Sequence, residues 1–387
     1  MRDPTSRLGD APTVSRATGC PRRSAHEASS RGGPPSLVAL ATLLLLLGGC
    51  TPGSFVARRI LRAPNSYPDW LAPAPRVVLD FQPRIAEGLP RQSWDAPAPR
   101  VLPGDAARLS YRIVPPARYQ LTVTQHPGVH RGRPTAEFRF DRQVPAPPHP
   151  NLPQPLGTVF LLHGYGLSQG SMLPWALLCG DLGWQSILVD LRGHGRSTGH
   201  RISFGPAELD DLDALLAHLD AQAPLPRPIV VLGVSFGGAL ALQWTASQPA
   251  LDSAIAIAPY PRLAPAIERI RDEFAPGVPR CLVRAAARSI PGLLGLQPGE
   301  LDPVAHLRPR APDALLMAST HDAIAPPRDV EELQVACLDG SSLAVVHGPP
   351  HEELQFRLDL LGAHVRRWLG DAAANGPTAP ATSRLKP

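Results

Sequence analysis

The chain has 387 residues, and 43% of them are hydrophobic, which is enough to bury a substantial core. Its formal net charge of +5 is modest for this length, and no stretch combines clustered basic residues with interleaved aromatic ones. Composition therefore argues against nucleic-acid binding. The length is compatible with one large domain that carries extensions.

An apolar run, SLVALATLLLLLGG, occupies residues 36–49 and is followed by Cys50. Such a run is too short for an ordinary transmembrane span but suits the apolar region of a signal peptide. Its end, Leu47-Gly48-Gly49-Cys50, resembles a bacterial lipobox, in which the cysteine is lipidated and becomes the new N-terminus. The resemblance predicts residues 1–50 as a signal peptide and Cys50 as a lipid anchor. The alternatives are an ordinary cleaved signal and an uncleaved anchor.

Thr51 directly follows the candidate lipidation site. Under the sorting rule of this lipoprotein family, an aspartate at that position retains the protein in the inner membrane. Thr51 therefore favours the outer membrane if the source is Gram-negative. The expected location is the cell envelope, with the protein facing the periplasm or the cell surface.

Residues 51–107 contain many prolines and show little periodicity. Because Pro-rich linkers are extended and semi-rigid, we predict a tether from 51 to about 75 that holds a domain off the membrane. Residues 76–107 are predicted to be an irregular segment that wraps the core. Strand-like runs with apolar/polar alternation follow at 111–114, 119–123 and 136–140, as is typical of an antiparallel edge.

From residue 156 onwards, short continuous apolar runs alternate with helical patterns. The runs indicate strands that are buried on both faces, and hence a mostly parallel sheet covered by helices, the α/β class. They occupy 158–162, 186–190, 228–232, 253–258, 314–318 and 343–346. The final helical stripe ends near Trp368, and the small polar tail at 370–387 is predicted to be disordered.

The alternation of predicted strands and helices breaks between about 261 and 312. Two helices are predicted there, from Pro265 to Phe274 and from Pro279 to Ser289, each with a proline near its first turn. This segment leaves the sheet after one strand and returns before the next, so we predict a lid over the edge where open α/β folds bind ligands. Three arginines share one face of the second helix and would meet either anionic groups or solvent: Arg280, Arg284 and Arg288.

The apolar run at 228–232 leads into Gly233-Val234-Ser235-Phe236-Gly237 and then into a helical pattern. A strand, a sharp turn and a helix are the context that a nucleophile elbow requires. Gly233 and Gly237 lack the Cβ atoms that would clash where the strand and the helix crowd together. We predict Ser235 as a nucleophile; the alternative is a serine in an ordinary Gly-rich loop.

A serine hydroxyl needs a base within hydrogen-bond reach, and the base needs an acid to orient it. Asp322 follows the predicted strand that ends at 318, and His351 follows the one that ends at 346, so both could converge with Ser235 at one edge of the sheet. The alternative base is His347, at a strand end rather than inside the loop. The alternative acids, Asp302 and Asp329, lie outside a turn that follows a strand.

Five segments in this order resemble the α/β-hydrolase family, in particular its esterase, lipase and lysophospholipase-like members. They are the oxyanion loop His163-Gly164-Tyr165-Gly166, the D-x-R-G-H-G-x-S stretch at 190–197, the elbow around Ser235, the acid loop with Asp322 and Pro326, and the turn at His351-Glu352. One departure is Ser319, where the family often has glycine. The resemblance covers roughly 110–369 and predicts a hydrolase domain at 108–369, with the lid at about 261–312.

The resemblance implies a hydrolase that cleaves carboxylic esters through an acyl-enzyme and needs no metal or organic cofactor. The backbone N–H groups of Tyr165 and Phe236 would form its oxyanion hole. His163, His194 and Asp190 are expected to hold loops around the site. An amide- or thioester-cleaving relative is one alternative, and an inactive binding lipoprotein of the same fold is another. A serine at the nucleophile position disfavours epoxide and haloalkane hydrolases.

Five cysteines stand at positions 20, 50, 179, 281 and 337, and none has a spacing typical of metal sites. We predict that Cys179, Cys281 and Cys337 are buried free thiols, since each lies among apolar residues. One disulfide among them is the alternative.

Overall fold

The computed structural model describes residues 51–66, 77–81, 92–95, 107–130, 132–143 and 154–376. The predicted signal peptide, the candidate lipidation site Cys50 and the residues from 377 onwards lie outside this part of the chain. Within it, no helix combines the length and the apolar character that crossing a membrane requires.

A mixed sheet of eight strands forms the centre of the described structure. Its strands are β2 (Gln92–Asp95), β3 (Arg108–Val114), β6 (Thr158–Leu162), β7 (Gln185–Asp190), β8 (Ile229–Val234), β9 (Ser253–Ile257), β10 (Ala314–Ser319) and β11 (Ser342–Val346). They follow the order β11-β10-β9-β8-β6-β7-β3-β2. The six from β6 to β11 pair in parallel, whereas β3 runs antiparallel to β7, and β2 antiparallel to β3. The predicted mostly parallel sheet is confirmed.

Helices cover both faces of this sheet. They are α2 (Leu173–Asp181), α3 (Pro206–Gln222), α4 (Phe236–Ser247), α8 (Pro327–Val335), α9 (His351–Leu354) and α10 (Leu358–Asn375). Because successive side chains of a strand point to opposite faces, Phe160 and Leu162 of β6 pack with α3 and α4, whereas Val159 and Leu161 pack with α2 and α10.

The prediction of disorder from residue 370 is wrong for the residues up to Asn375, which continue α10.

A second, three-stranded sheet is built from β1 (Val77–Phe81), β4 (Gln120–His130) and β5 (Arg133–Gln143). The hairpin of β4 and β5 is antiparallel, and β1 adds to β5 in parallel. The prediction that 76–107 is irregular is therefore wrong for β1 and β2. The hairpin also stands apart from the large sheet, since β3 alone of the three predicted edge strands joins it.

The predicted lid is a cap that lies between β9 and β10 along the chain. It contains α5 (Leu263–Phe274) and α6 (Arg280–Leu294), and the short α7 (Pro303–Leu307) leads back to the sheet against α4. Arg269 of α5 donates to the carbonyl oxygen of Ile324 and pairs with Asp329 beyond the end of β10. These contacts hold the cap above the edge of the sheet at which the parallel strands end.

The prediction of a tether is wrong for residues 52–60, which form helix α1 (Pro52–Ile60) against the cap helix α6. The Thr51 hydroxyl caps the helix by accepting the N–H of Ser54 at 3.2 Å. A Cβ atom added to Gly53 would lie 2.8 Å from the Cβ of Ala285, so the two helices approach closely because Gly53 has no side chain. The prolines of this segment suggested a linker. Pro52, however, occupies the first position of the helix, where proline favours helix formation.

The three described cysteines are all free thiols. Cys179 and Cys337 are buried as predicted, and burial raises the pKa of each thiol to about 12. The prediction is wrong for Cys281, which is exposed on α6 because it lies on the face of that helix turned away from the core.

Candidate active site

Ser235 lies in the sharp turn between β8 and α4 and has a positive φ of 53°. Its N–H donates to the carbonyl oxygen of Ile257 at 2.8 Å, which fixes the turn against β9. A Cβ atom at Gly233 would lie 2.0 Å from the carbonyl oxygen of Gly237, and one at Gly237 would lie 2.2 Å from that of Leu162. Both motif glycines are therefore required by the close approach of strand and helix.

His351 opens α9, and its ring joins the two other predicted residues. Its Nε2 lies 2.8 Å from Ser235 Oγ, and its Nδ1 lies 2.7 Å from Asp322 Oδ2. The structure thus brings Ser235, His351 and Asp322 into one hydrogen-bonded chain, although they come from three separate loops. Ser235 and His351 are partly buried, whereas the Asp322 side chain is fully buried.

The second carboxylate oxygen of Asp322 is held by the backbone. Asp322 Oδ1 accepts the N–H groups of Ile324 at 2.8 Å and of Ala325 at 2.7 Å. These bonds fix the position of the carboxylate. Its orientation towards His351 is thus set by the turn that follows β10.

The alternative acids and the alternative base have hydrogen-bond partners outside the Ser235–His351–Asp322 chain. Asp302 accepts the N–H of Leu263 in the cap, and Asp329 pairs with Arg269. His347 is exposed, and its Nδ1 lies 3.2 Å from the Thr320 hydroxyl. His321 hydrogen-bonds the carbonyl oxygen of Gly348. None of these side chains has a described hydrogen bond to Ser235 or His351.

The loop after β6 passes beside Ser235. A Cβ atom at Gly164 would lie 3.7 Å from the Cβ of Ser235, so the backbone of His163-Gly164-Tyr165 borders the site. Phe236 is the first residue of α4, where the N–H groups have no acceptor within the helix. Gly164 and Phe236 therefore border Ser235, and the N–H groups of Tyr165 and Phe236 remain the predicted oxyanion donors.

Two buried histidines hold the loops around the site. His163 Nε2 accepts the N–H of Leu191 at 3.0 Å, so its Nδ1 carries the proton that is donated to the carbonyl oxygen of Gly164. His194 hydrogen-bonds the carbonyl oxygen of Arg192, and its ring centroid lies 5.0 Å from that of His163. Burial lowers the pKa of His163 to about 4 and that of His194 to about 3, so both rings are neutral.

Asp190, at the end of β7, has the structural role that was expected of it. It accepts the N–H of Gln169 at 2.7 Å, the side-chain amide of Gln169 at 2.8 Å and the N–H of Arg196 at 3.0 Å. Its carboxylate therefore joins the loop after β6 to the loop after β7. Nearby, Arg192 forms a buried bidentate pair with Asp211 of α3.

Ser319 links two loops of the site, whereas the sequence marked it only as a departure from a family pattern. It is fully buried, and its hydroxyl donates to the carbonyl oxygen of Pro349 at 2.6 Å. The bond joins the end of β10, which leads to Asp322, to the loop that carries His351. A glycine at this position would leave that carbonyl without this donor.

Aromatic rings lie close to Ser235. Phe204 has a positive φ of 57°, stacks on Tyr165 at a centroid distance of 6.2 Å, and meets Phe236 edge-on at 5.6 Å. Tyr165 is 42% exposed and forms the outer part of this wall. No motif marked Phe204, because its position depends on the backbone turn before α3. In the described part of the chain, no cluster of His, Cys, Asp and Glu is arranged to hold a metal ion.

Comparison with known proteins supports the fold. Residues 153–311 match the family described as serine aminopeptidase, S33. A monoacylglycerol lipase of Mycolicibacterium smegmatis is 32% identical over 136 residues, which cover 32% of this chain and 48% of the lipase. The uncharacterized protein YqkD of Bacillus subtilis is 33% identical over 85 residues, or 22% of this chain and 28% of YqkD. The chain thus spans about half the length of the first of these relatives and under a third of the second.

Solved structures share the architecture. The esterase Pf2001 of Pyrococcus furiosus superposes with a TM-score of 0.52 at 18% identity, covering 78% of this chain and 99% of the esterase. The α/β hydrolase GrgF of Penicillium sp. sh18 gives 0.51 at 17% identity, covering 74% of this chain and all of GrgF. At such identities the likeness is one of fold.

The sheet order, the helices on both faces and the strand–serine–helix turn define a protein of the α/β-hydrolase fold. The family match of residues 153–311 and the superposed structures agree with this fold.

Proposed function

We propose that the chain is a serine hydrolase that cleaves carboxylic esters, with Ser235 as nucleophile, His351 as general base and acid, and Asp322 as the residue that orients His351. The observation that carries this proposal is the continuous hydrogen-bonded chain from Asp322 through His351 to Ser235. It lies at the edge of the sheet where the parallel strands end, next to the cap.

In the first half of the reaction, Ser235 Oγ bonds to the ester carbonyl carbon while its proton passes to His351 Nε2. The negative charge moves to the carbonyl oxygen, which the N–H groups of Tyr165 and Phe236 would stabilise; losing one such donor costs about 3 kcal/mol of barrier stabilisation. The bond to the alcohol then breaks, and His351 returns the proton to the departing oxygen. The acyl group remains on Ser235.

In the second half, water gives a proton to His351 and attacks the acyl carbon. The bond to Ser235 Oγ breaks, and His351 returns the proton to that oxygen, which releases the acid. In both halves, the imidazolium forms beside the buried carboxylate of Asp322, which two backbone N–H groups hold in place. That carboxylate stabilises the positive charge and keeps the ring turned towards Ser235.

The proposed substrate class is an ester of a single acyl chain, such as a monoacylglycerol or a lysophospholipid. Apolar residues at helical spacing on α5 support this class: Leu263 and Ile267 are buried, whereas Ile270 and Phe274 are 40% and 42% exposed. The exposed side chains of Ile270 and Phe274 give the cap an apolar surface, and we propose that it accepts the acyl chain. The lipase relative supports the same substrate class.

A chain-length series of acyl esters tests this proposal, with Ser235→Ala as the matched control. We expect hydrolysis by the wild-type protein, with preference for long chains, and a loss of about 10⁴-fold or more in kcat for Ser235→Ala. A folded wild-type protein that hydrolyses none of these esters would contradict the proposed activity. Preference for short chains alone would contradict the proposed substrate class.

Amide cleavage is a second candidate, favoured by the description of the matching family as serine aminopeptidase. The triad would serve either reaction, because both pass through a tetrahedral intermediate. Acyl p-nitrophenyl esters and p-nitroanilides with the same acyl group separate the two. We expect ester cleavage to dominate, and faster turnover of the anilide would favour the peptidase function instead.

We also propose that the protein is attached to the cell envelope through a lipid on Cys50, as the sequence Leu47-Gly48-Gly49-Cys50 predicts. Mass spectrometry of the mature N-terminus tests this attachment. A diacylglyceryl-modified cysteine, lost in Cys50→Ala, is the expected result. An unmodified N-terminus in the cell envelope would contradict it.

A further inference from the structure

Helix α1 is part of the cap. Gly53 and Ala57 are buried one helical turn apart, and the Cβ position of Gly53 lies 2.8 Å from the Cβ of Ala285 on α6. Val56 and Ile60 pack against the core cluster that also contains Val283, so the helix is embedded along most of its length. It therefore cannot serve as a spacer between a membrane and the domain.

The segment after α1 fixes this helix to the rest of the domain. The N–H of Ala63 donates to the carbonyl oxygen of His200 at 2.9 Å, and the N–H of Ile202 donates to that of Leu61 at 2.9 Å. The side-chain amide of Asn65 donates to the carbonyl oxygen of Ser197 at 2.7 Å. Because α1 is held at both the cap and the loop after β7, moving it away would break these contacts together.

The apolar run of the sequence ends only two residues before α1. Gly49 is followed by Cys50 and Thr51, and the helix begins at Pro52. An extended chain spans at most ~3.6 Å per residue, so a membrane-bound Cys50 would lie within about 10 Å of the helix. Attachment at Cys50 thus places the cap at the membrane surface.

The outer face of the cap carries the kinds of side chain that bind a membrane surface. Phe55 is 52% exposed on α1, and Arg58 is exposed one turn further. On α6, Arg284 and Arg288 are exposed beside Cys281. Across α1 with its flanks (51–62) and α6 (280–294) there are six arginines and no acidic residue, so positive charge remains even though Arg280 pairs with Asp272 and Arg284 with Glu268. Exposed aromatic and arginine side chains favour an interface with anionic lipid.

We propose that the face formed by α1 and α6 docks on an anionic bilayer, so that the cap lies on the membrane from which the substrate comes. The inference rests on the proposed membrane attachment and not on the proposed catalysis. The docked orientation places the opposite edge of the sheet, where the parallel strands begin, away from the lipid.

Cys281 provides a native reporter, because it is the exposed one of the three described cysteines and lies on the proposed face. The full chain is reconstituted in vesicles of phosphatidylcholine and phosphatidylglycerol and treated with a membrane-impermeant maleimide, and alkylation is read for each cysteine peptide by mass spectrometry. We expect Cys281 to react roughly tenfold more slowly in vesicles than in detergent, because a docked face excludes the water-soluble reagent.

Ala374→Cys provides the matched control on the opposite side. Ala374 is exposed near the end of α10, and this end borders a cavity lined by Asp313 and Gly340, which precede β10 and β11. We expect the introduced thiol to react equally fast in vesicles and in detergent. An unprotected Cys281, or protection of the introduced thiol alone, would overturn the proposed orientation, and so would failure of the chain to associate with the vesicles.

Phe55→Ser tests the contribution of the exposed aromatic ring, with Val335→Ser as its control on α8, where Val335 is 88% exposed. We expect Phe55→Ser to restore alkylation of Cys281 severalfold and Val335→Ser to leave it unchanged. Equal effects of the two variants, or equal protection in vesicles without phosphatidylglycerol, would overturn the docking surface. Ester hydrolysis in detergent measures catalysis separately, so either proposal can fail alone.

Discussion

The geometry of the proposed catalytic site depends on a few side chains whose positions the backbone imposes. Ser235 keeps a φ of 53°, which a non-glycine residue adopts only when its surroundings hold it there. Here the N–H of Ser235 donates a hydrogen bond to Ile257 of β9. The backbone on either side is closely packed at Gly233 and Gly237, so the turn is held in this conformation. The hydroxyl therefore meets His351 without rearrangement.

Ser319→Ala tests the bond between the two loops that carry Asp322 and His351. Removal of the hydroxyl leaves the carbonyl oxygen of Pro349 without its donor, so we expect kcat to fall about tenfold and stability to fall by about 1 kcal/mol. Steady-state kinetics and urea unfolding measure both.

Ser341→Ala is the matched control for this variant. Its hydroxyl accepts the N–H of Ala314 at 3.0 Å at the opposite end of β10, so a similar loss of stability is expected with kcat unchanged. Equal losses of kcat in the two variants would show that Ser319 has no positioning role.

His163→Gln tests the buried neutral histidine by the pH dependence of stability. The pKa of His163 is lowered to about 4 by burial, so the unfolded chain binds a proton below pH 6.5 that the native ring does not. Stability is therefore lost as the pH falls from 6.5 towards 4, by up to about 1.4 kcal/mol per pH unit for this ring. Urea unfolding at several pH values should give a shallower dependence for His163→Gln, and identical slopes would contradict the assignment.

At the scale of elements, the cap is held by helices from distant parts of the chain. Helix α1 packs on α6, while Arg269 and Arg262 of the segment that begins the cap pair with Asp329 and Glu332 of α8. The cap is thus fixed on two sides, and changes in α1 should affect it.

Gly53→Leu tests the close packing of α1 on the cap. A side chain at Gly53 meets Ala285 at less than van der Waals distance, so we expect a loss of about 1–3 kcal/mol and faster amide exchange in 280–294. Hydrogen exchange measured by mass spectrometry follows that segment. Phe55→Leu, on the exposed face of the same helix, should leave it unchanged, and protection retained in Gly53→Leu would argue against the packing.

The sequence predicted some elements better than others, for physical reasons. The strands from β6 to β10 are buried on both faces, so continuous apolar runs in the sequence marked them. The edge strand β11 was also marked by its apolar run, although it is only partly buried. Strand β1 was missed because its pairing with β5 joins residues that are far apart in the chain. Helix α1 was missed because it is short, and its stability comes from packing on α6 rather than from its own sequence.

At the scale of the whole molecule, the second sheet supports the site. Phe138 and Phe140 of β5 enclose Phe356, with ring centroids at 5.2 and 6.1 Å, and Phe356 follows the short helix α9 that begins at His351. Gln125 of β4 also donates to Glu353 of that helix at 3.1 Å. The hairpin therefore holds in place the element that carries the proposed base.

Phe356→Ala tests this support. We expect the variant to lose about 3–5 kcal/mol of stability and to have a lower kcat even where it is fully folded, because α9 loses its contact with the hairpin. Kinetics at a temperature well below its melting transition give the comparison. Val129→Ala, at the 74% exposed end of the hairpin, is the control, and equal kcat values in the two variants would contradict the role of the second sheet.

Which residues form the candidate site could be predicted because parallel strands end at a common edge of the sheet. Ser235, Asp322 and His351 each follow a recognisable strand, and their order in the chain matched a known pattern. Ser319, Phe204 and Phe356 gave no such signal, since their roles depend on contacts between loops and sheets that only folding creates. The substrate class depends on the cap, whose sequence carries no motif.

The most direct test of the proposed catalysis is reaction with a fluorophosphonate, which forms a covalent adduct with an activated serine. We expect a single adduct, mapped by mass spectrometry to the peptide that contains Ser235, no adduct in Ser235→Ala, and labelling slowed by about 10³-fold or more in His351→Ala. A folded wild-type protein that remains unlabelled, or an adduct on another residue, would contradict the role of Ser235 as the nucleophile.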